Sequence, residues 1–178
     1  MITLSLFILL GLFIDNLPAE NTRNYTLKEL RNEYLQASKD EEAARRFHKK
    51  MAAFNEKQPV KLAYKASSEA VMAKYGWNPY NKLKHVKTAA AIFEEAVAMD
   101  RSHPEIRFLR FTVEHYIPRY LNLSEHIKED KKLIIEGLKK HPKSGLSTEM
   151  AQTIKDFMLS KDHCTEAEKQ EIKSIMIN

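Results

Sequence analysis

Apolar residues recur at intervals of three and four along most of the chain, the spacing that places them on one face of an α-helix. The segment that follows Thr26 shows this first, with Leu27, Leu30 and Tyr34 on one stripe. No segment shows sustained alternation of apolar and polar residues, the pattern of a half-buried strand. The sequence therefore predicts an all-α protein of about eight helices. These helices are expected to begin near residues 26, 38, 60, 79, 105, 124, 147 and 165.

Local start and stop signals support these boundaries. A Ser or Thr followed three residues later by Glu forms a capping box, in which the hydroxyl accepts a hydrogen bond from a free backbone amide and the carboxylate bonds back. Capping boxes are predicted at Thr26, Ser38 and Thr165, and Ser147 is a further N-cap. Proline, which is favoured in the first helical turn, precedes or begins three helices, at positions 59, 79 and 104. Gly76 is expected to end one helix in the left-handed conformation.

Short connections between the predicted helices favour antiparallel neighbours, and therefore stacked helical hairpins. Two consecutive helices carry small residues at three- and four-residue spacing, which allows close approach of their backbones. These residues are Ala63, Ala66, Ser67, Ala70 and Ala73 on one helix and Ala89, Ala90 and Ala96 on the next. We expect these two helices to pack tightly against each other.

The first nineteen residues differ from the rest of the chain. Residues 2–14 are almost wholly apolar, but a run of this length is shorter than the roughly 20 residues that a membrane-spanning helix needs. Pro18 and Ala19 follow, as expected of a cleavage site, so residues 1–19 are interpreted as a secretory signal and residues 20–178 as a single helical domain. The alternatives are an uncleaved membrane anchor over residues 2–14 and an N-terminal core helix. The favoured interpretation places the protein in the periplasm or outside the cell.

The composition of the chain excludes several classes of fold and site and indicates the kind of partner. Four glycines and six prolines are too few for the many tight turns of a sandwich or barrel. A single cysteine, Cys164, excludes an internal disulfide and a cysteine-cluster zinc site. The net charge is +5, but an exported protein would rarely meet nucleic acid, so the expected partner is an envelope or extracellular protein. Contact with a membrane is expected only through the N-terminal segment if it stays uncleaved.

One helix resembles part of a tetratricopeptide repeat. Ala89, Phe93 and Ala96, followed by Asp100, match the A-x-x-x-F-x-x-A pattern of the second helix of that repeat. The match covers about half a repeat and no second copy follows, so it implies similar helix packing and no peptide-binding groove. A wider stretch runs from Leu62-Ala63-Tyr64-Lys65 through Glu105-Ile106-Arg107-Phe108-Leu109-Arg110 to Glu129-Asp130-Lys131-Lys132. This stretch resembles a family of small exported all-helical proteins of Gram-negative bacteria with no characterised function. That resemblance implies export and an all-helical fold, and no catalytic residue.

A carboxylate interrupts the apolar face of the helix predicted at 124–140. Asp130 lies three residues after Ile127 and four before Ile134, so it faces the core, where an unpaired charge is costly. Arg107 and Arg110 on the preceding helix are its expected partners. The spacing predicts an interhelical ion pair from Asp130 to one of these arginines, and its favoured role is to fix helix register.

Two further expectations belong to this ion pair. Glu114, four residues after Arg110, is expected to bond to that arginine. The alternative functional interpretation makes the two guanidinium groups the floor of a site for a ligand carboxylate or phosphate.

A second candidate site is the loop that holds the only tryptophan. Trp77 and Tyr80 lie between two predicted helices, with Lys74, Lys82, Lys84 and Lys87 around them. If exposed, this loop would suit stacking on a peptide, sugar or aromatic ligand. If buried, Trp77 would cap the end of a helical hairpin, which is the favoured interpretation because a single Trp in a small domain usually faces the core.

The seven histidines show neither an H-E-x-x-H motif nor histidines paired at i, i+4, so no metal site, cofactor or catalytic residue is predicted. The sequence therefore favours a non-enzymatic helical protein that binds a protein partner. The alternative is a binder of small anionic ligands that uses Arg107, Arg110 and the Trp77 loop.

Overall fold

Eight α-helices and one short 3-10 helix (Arg119–Leu121) make up the regular structure of residues 25–55 and 57–178, the part of the chain described by the computed structural model, and no strand occurs there. The helices are α1 (Leu27–Ala37), α2 (Glu41–Ala52), α3 (Pro59–Tyr75), α4 (Pro79–Met99), α5 (Pro104–Tyr116), α6 (Ile127–Lys139), α7 (Thr148–Leu159) and α8 (Glu166–Ser174). The all-α prediction is confirmed. The segment interpreted as a signal, residues 1–19, lies outside the described residues.

Most helices begin where the capping signals predict. Thr26 and Thr165 both form complete capping boxes, and the Ser147 hydroxyl accepts from the backbone amide of Met150. Pro59, Pro79 and Pro104 each occupy the first position of a helix. These signals act within one turn of backbone, which is why they can be interpreted without knowledge of the packing.

The capping box expected at Ser38 is wrong. The Ser38 hydroxyl donates instead to the carbonyl of Leu35 at 2.8 Å, and Ser38 ends α1. Asp40 caps α2, because its carboxylate accepts from the Ala43 amide at 2.7 Å.

The left-handed conformation expected of Gly76 is also wrong, since its φ is −63° and its backbone is extended. Asn78 caps the next helix two residues later, and an extended residue carries the chain directly to that cap.

Helix α6 begins three residues later than predicted, at Ile127 rather than Ser124. Ser124 does not cap the helix, because its hydroxyl donates to the carbonyl of Glu114 at 2.9 Å. Tertiary contact with the end of α5 therefore replaces the local cap that the sequence suggested.

Helix α5 lies between two hydrophobic clusters. Ile106 and Leu109 belong to the first cluster, which is otherwise built mainly from α1 to α4. Phe108 and Phe111, on the opposite side, belong to the second cluster with residues of α6 to α8. A helix buried on both sides has little surface left for solvated groups, so the polar residues of α5 must find partners inside the protein.

The small residues of α3 and α4 allow close packing, as expected. Ala63 and Ala66 on α3 and Ala89 and Ala96 on α4 are fully buried, and these two helices have the most extensive contact of any pair. Consecutive helices from α1 to α6 contact one another. Tetratricopeptide-like packing stays a prediction. Within the described part of the chain, every helix is too short or too polar to span a bilayer.

Gly137 allows α6 to approach the start of α5. A Cβ atom at this position would lie 2.4 Å from Cβ and 2.7 Å from Cγ of Pro104, far inside van der Waals contact. The proline ring is rigid and begins α5, so it cannot rotate away.

We expect Gly137→Ala to lower the free energy of unfolding by about 2 kcal/mol, because the added methyl overpacks this contact. Helix propensity alone would give the opposite sign, a gain of about 1 kcal/mol. Gly76→Ala is the matched control, because its new Cβ has no contact shorter than 3.4 Å and its φ suits any residue. Urea denaturation of both variants measures the difference, and a stabilised Gly137→Ala variant would contradict this account.

Candidate functional site

Asp130 lies between Arg107 and Arg110 and pairs with both. Its carboxylate is fully buried and accepts from Nη1 of Arg107 at 2.9 Å. Arg110 donates to both carboxylate oxygens, from Nε at 2.8 Å and from Nη2 at 2.7 Å. The bidentate contact joins α5 to α6 at the face that the sequence pattern predicts for Asp130.

Each remaining guanidinium nitrogen also has an acceptor within the protein. Arg107 donates from Nε and Nη2 to the carbonyl of Arg101, at 2.8 and 2.5 Å. Arg110 donates from Nη1 to Glu94 at 2.7 Å. Both arginines are buried, and their nitrogens are all bonded within the protein, so they form a closed network with Asp130. This arrangement gives no support to their use as a site for a ligand carboxylate or phosphate.

The charge state of Arg110 follows from the same contacts. Burial opposes the charged form, but the hydrogen bond and attraction of Asp130, with further attraction from Glu94 and Glu114, hold the pKa of Arg110 above its ordinary value. The guanidinium is therefore charged in the folded protein.

Glu114 is placed differently from the prediction. Its carboxylate accepts from the backbone amide of His126 at 2.9 Å and pairs with Nδ1 of the same residue at 2.7 Å. The expected hydrogen bond to Arg110 is therefore replaced by one to the residue that precedes α6. The reason is that Asp130 and Glu94 already accept from Arg110, while the start of α6 has a free amide to satisfy.

A second buried charge, Glu105, was missed by the sequence analysis. It is fully buried at the start of α5, where Arg31 donates to its two oxygens at 2.8 and 2.6 Å and the Tyr64 hydroxyl donates at 2.9 Å. Burial, followed by the charge of Glu105, raises the pKa of Tyr64 well above its ordinary value. An acidic residue in the first turn of a helix is normal at a solvated helix end, so nothing in the sequence marks this one as buried.

The loop of Trp77 is exposed, so the interpretation of Trp77 as a buried cap is wrong. The side chain of Trp77 is 94% exposed and that of Tyr80 is 75% exposed. The connection between α3 and α4 has only three residues, and the side chain of Asn78 fixes it by accepting from the amide of Tyr80 at 2.9 Å. So short a turn carries Trp77 past the end of the hairpin, beyond the reach of the core.

Lysines surround this aromatic loop. Residues 70–93 contain four lysines and no acidic residue. All four lysines, Lys74, Lys82, Lys84 and Lys87, are exposed. The end of the α3–α4 hairpin therefore combines two exposed aromatic rings with a local positive charge.

His48 on α2, Glu69 on α3 and His85 on α4 come together and are partly exposed. The Glu69 carboxylate bridges the two rings, with one oxygen 2.9 Å from Nε2 of His48 and the other 2.6 Å from Nδ1 of His85. The ring centroids are 5.6 Å apart and nearly perpendicular. The histidines lie 21 and 16 positions from the glutamate, so no local motif marks the cluster.

The electrostatics of this cluster favour an ionised Glu69. Partial burial opposes ionisation, but the hydrogen bonds and attraction of His48 and His85 outweigh it and lower the pKa of Glu69. All three side chains keep some contact with solvent, with exposed fractions of 25% for His48, 17% for Glu69 and 28% for His85. One ligand atom from each residue lies within 4.8 Å of the others, so this is the group within the described residues that meets the geometric requirement for a metal ion.

Two other residues of types that often act in catalysis, His163 and Cys164, are buried here. The His163 ring stacks on Phe157 at 4.1 Å, and its Nδ1 lies 2.9 Å from the carbonyl of the same phenylalanine. The thiol of Cys164 is buried, which raises its pKa to about 11 and leaves it a poor nucleophile.

Comparison of the chain with protein-family models, with curated proteins and with solved structures finds no match. The resemblance to small exported helical proteins stays a prediction.

Proposed function

We propose that this protein is an exported, non-enzymatic helical interaction protein that binds an acidic segment of an envelope or extracellular protein. The binding site is the turn between α3 and α4 together with the start of α4, with Trp77 and Tyr80 as anchors. The single observation that carries the proposal is the 94% exposure of Trp77 on a turn held in place by a side-chain cap.

An exposed tryptophan on a fixed turn suits binding in two respects. Trp and Tyr are the residues that most often dominate the energy of protein interfaces, because each buries a large area and keeps a polar atom for hydrogen bonding. The Asn78 cap and the three-residue connection reduce the freedom of the turn before binding. Less conformational entropy is then lost when the partner docks.

The surrounding charge indicates the chemistry of the partner. Lys82, Lys84 and Lys87 follow the aromatic residues on α4, and residues 70–93 contain no acidic residue that would neutralise them. Such a surface attracts an acidic segment and repels a basic one, which favours both the rate and the specificity of association. Export is supported by the apolar run at residues 2–14, followed by Pro18 and Ala19.

The test is site-specific photocrosslinking in the producing cells, with a photoreactive amino acid placed at Asn81, an exposed neighbour of the anchors. We expect the full chain to crosslink outside the cytoplasm to one protein, through a peptide rich in Asp and Glu. With that partner purified, Trp77→Ala/Tyr80→Ala is expected to weaken binding by roughly 30-fold or more, because interface anchors of this type contribute at least about 2 kcal/mol. Added salt should also weaken binding, because it screens the attraction between the lysines and the acidic segment.

Tyr120→Ala is the matched control, because Tyr120 is 81% exposed in a different segment of the chain. It should bind the partner as tightly as the unchanged protein does. Crosslinking through a peptide without acidic residues, or full affinity in the double variant, would reject the proposed binding site. Recovery of the protein solely from the cytoplasm would reject export.

A further inference from the structure

We infer that His48, Glu69 and His85 form a binding site for one Zn²⁺ ion. This inference does not depend on the proposed partner site, since it concerns different side chains and another chemistry. Each of the three helices α2, α3 and α4 provides one residue of the site.

The geometry needs only a small adjustment to hold the ion. Zinc binds imidazole nitrogen and carboxylate oxygen at about 2.0–2.2 Å, so two ligand atoms of a tetrahedral site lie about 3.4 Å apart. One Glu69 oxygen lies 2.9 Å from Nε2 of His48 and the other lies 2.6 Å from Nδ1 of His85, both somewhat closer than this. One ligand atom from each of the three residues lies within 4.8 Å of the other two. To hold the ion, the carboxylate moves slightly away from the two rings, and any pair of ligand atoms that is farther apart than about 3.4 Å moves closer together. Rotation of these partly exposed side chains can provide both movements.

The ligand set selects the class of metal. Calcium and magnesium prefer oxygen ligands alone, whereas neutral imidazole favours zinc and its transition-metal neighbours. Two histidines and one glutamate are a ligand set that zinc uses where a fourth position is left to water. The partial exposure of all three side chains allows the ion to enter and leaves that fourth position open to solvent.

Binding of the ion requires each histidine ring to move a proton from one nitrogen to the other. In the metal-free protein, each ring nitrogen that faces Glu69 donates an N–H to the carboxylate. For the ion to bind, each ring must present a lone pair instead, so its proton moves to the other ring nitrogen. The carboxylate then exchanges two hydrogen bonds for one bond to the metal.

The test is titration of the chelator-treated full chain with Zn²⁺ alone, in competition with a chromophoric chelator. We expect one ion per chain, and expect His48→Gln and His85→Gln each to weaken binding by roughly 100-fold or more, since even loss of an outer hydrogen bond costs 10–100-fold in affinity. Glu69→Gln should weaken binding as well. Circular dichroism verifies that each variant remains helical.

His126→Gln is the matched control, because His126 also pairs with a glutamate, Glu114, at 2.7 Å. It should leave zinc affinity unchanged. Equal affinity in all the variants, or an equal loss in His126→Gln, would overturn the site in favour of adventitious binding by surface histidines.

A measurement on the unchanged protein covers the case in which a variant fails to fold. Diethyl pyrocarbonate modifies accessible imidazoles, and a bound ion blocks the nitrogen that it occupies. We expect Zn²⁺ to protect His48 and His85 from modification and to leave the rate at His126 unchanged. If zinc left the rate of modification unchanged at all three histidines, the inference would be overturned.

Discussion

Replacing Asp130 with asparagine is expected to lower the free energy of unfolding by about 3–5 kcal/mol, the usual cost of breaking a buried ion pair from one side. The substitution keeps the shape of the side chain but removes its charge, so Arg107 and Arg110 stay buried without their shared counter-ion. The new amide also carries N–H donors, which cannot accept from a guanidinium. Urea denaturation followed by circular dichroism measures the loss.

The neighbouring residue provides the control. Glu129 also pairs with Arg107, at 3.3 Å, but its side chain is 58% exposed. Glu129→Gln should therefore change stability by less than about 0.5 kcal/mol, as is usual for exposed ion pairs. If Asp130→Asn lowered the free energy of unfolding as little as Glu129→Gln, the arginines of α5 would have access to water. The description of a closed network would then be wrong.

Glu105→Gln is expected to lower the free energy of unfolding by about 3 kcal/mol, at the lower end of the range for a buried pair. Glu105 accepts from Arg31 and Tyr64, so its charge connects α5 to α1 and α3. The cost is smaller than for Asp130 because the Arg31 side chain is 20% exposed and can turn towards water. Urea denaturation again gives the magnitude, and hydrogen exchange should show that α1 loses protection first.

The control for this variant is Glu41→Gln. Glu41 pairs with Arg45 at 2.6 Å, the same separation as between Glu105 and Arg31, but both side chains are largely exposed. The two variants therefore compare equal distances in different solvent environments. Comparable losses in both would mean that distance, rather than burial, sets the strength of these pairs.

The sequence was sufficient for the helices and for most of their starting points. The capping boxes at Thr26 and Thr165 and the prolines at 59, 79 and 104 lie where the structure has them. The facing of Asp130 towards α5 also followed from its position between Ile127 and Ile134. Each of these features depends on contacts within one or two helical turns, or on the fixed period of a single helix.

Hydrogen-bond partners and exposures that depend on contacts between helices were decided by the tertiary structure. Ser124 is tied to the end of α5 instead of capping α6, and Glu114 bonds to His126 instead of Arg110. In both cases a group from another element competes with the local partner, and helical periodicity holds no information about that competitor. The exposure of Trp77 follows likewise from the direction in which α3 and α4 leave their short turn.

The sequence by itself thus determined the class of fold, the helix boundaries set by caps and prolines, and the need of Asp130 for a cationic partner. Only the tertiary structure placed His48 and His85 on either side of Glu69, or buried Glu105 beneath Arg31 and Tyr64. The physical reason is range. A cap or a helical stripe is fixed by neighbours along the chain, whereas the meeting of three helices depends on crossing angles that the whole core sets together.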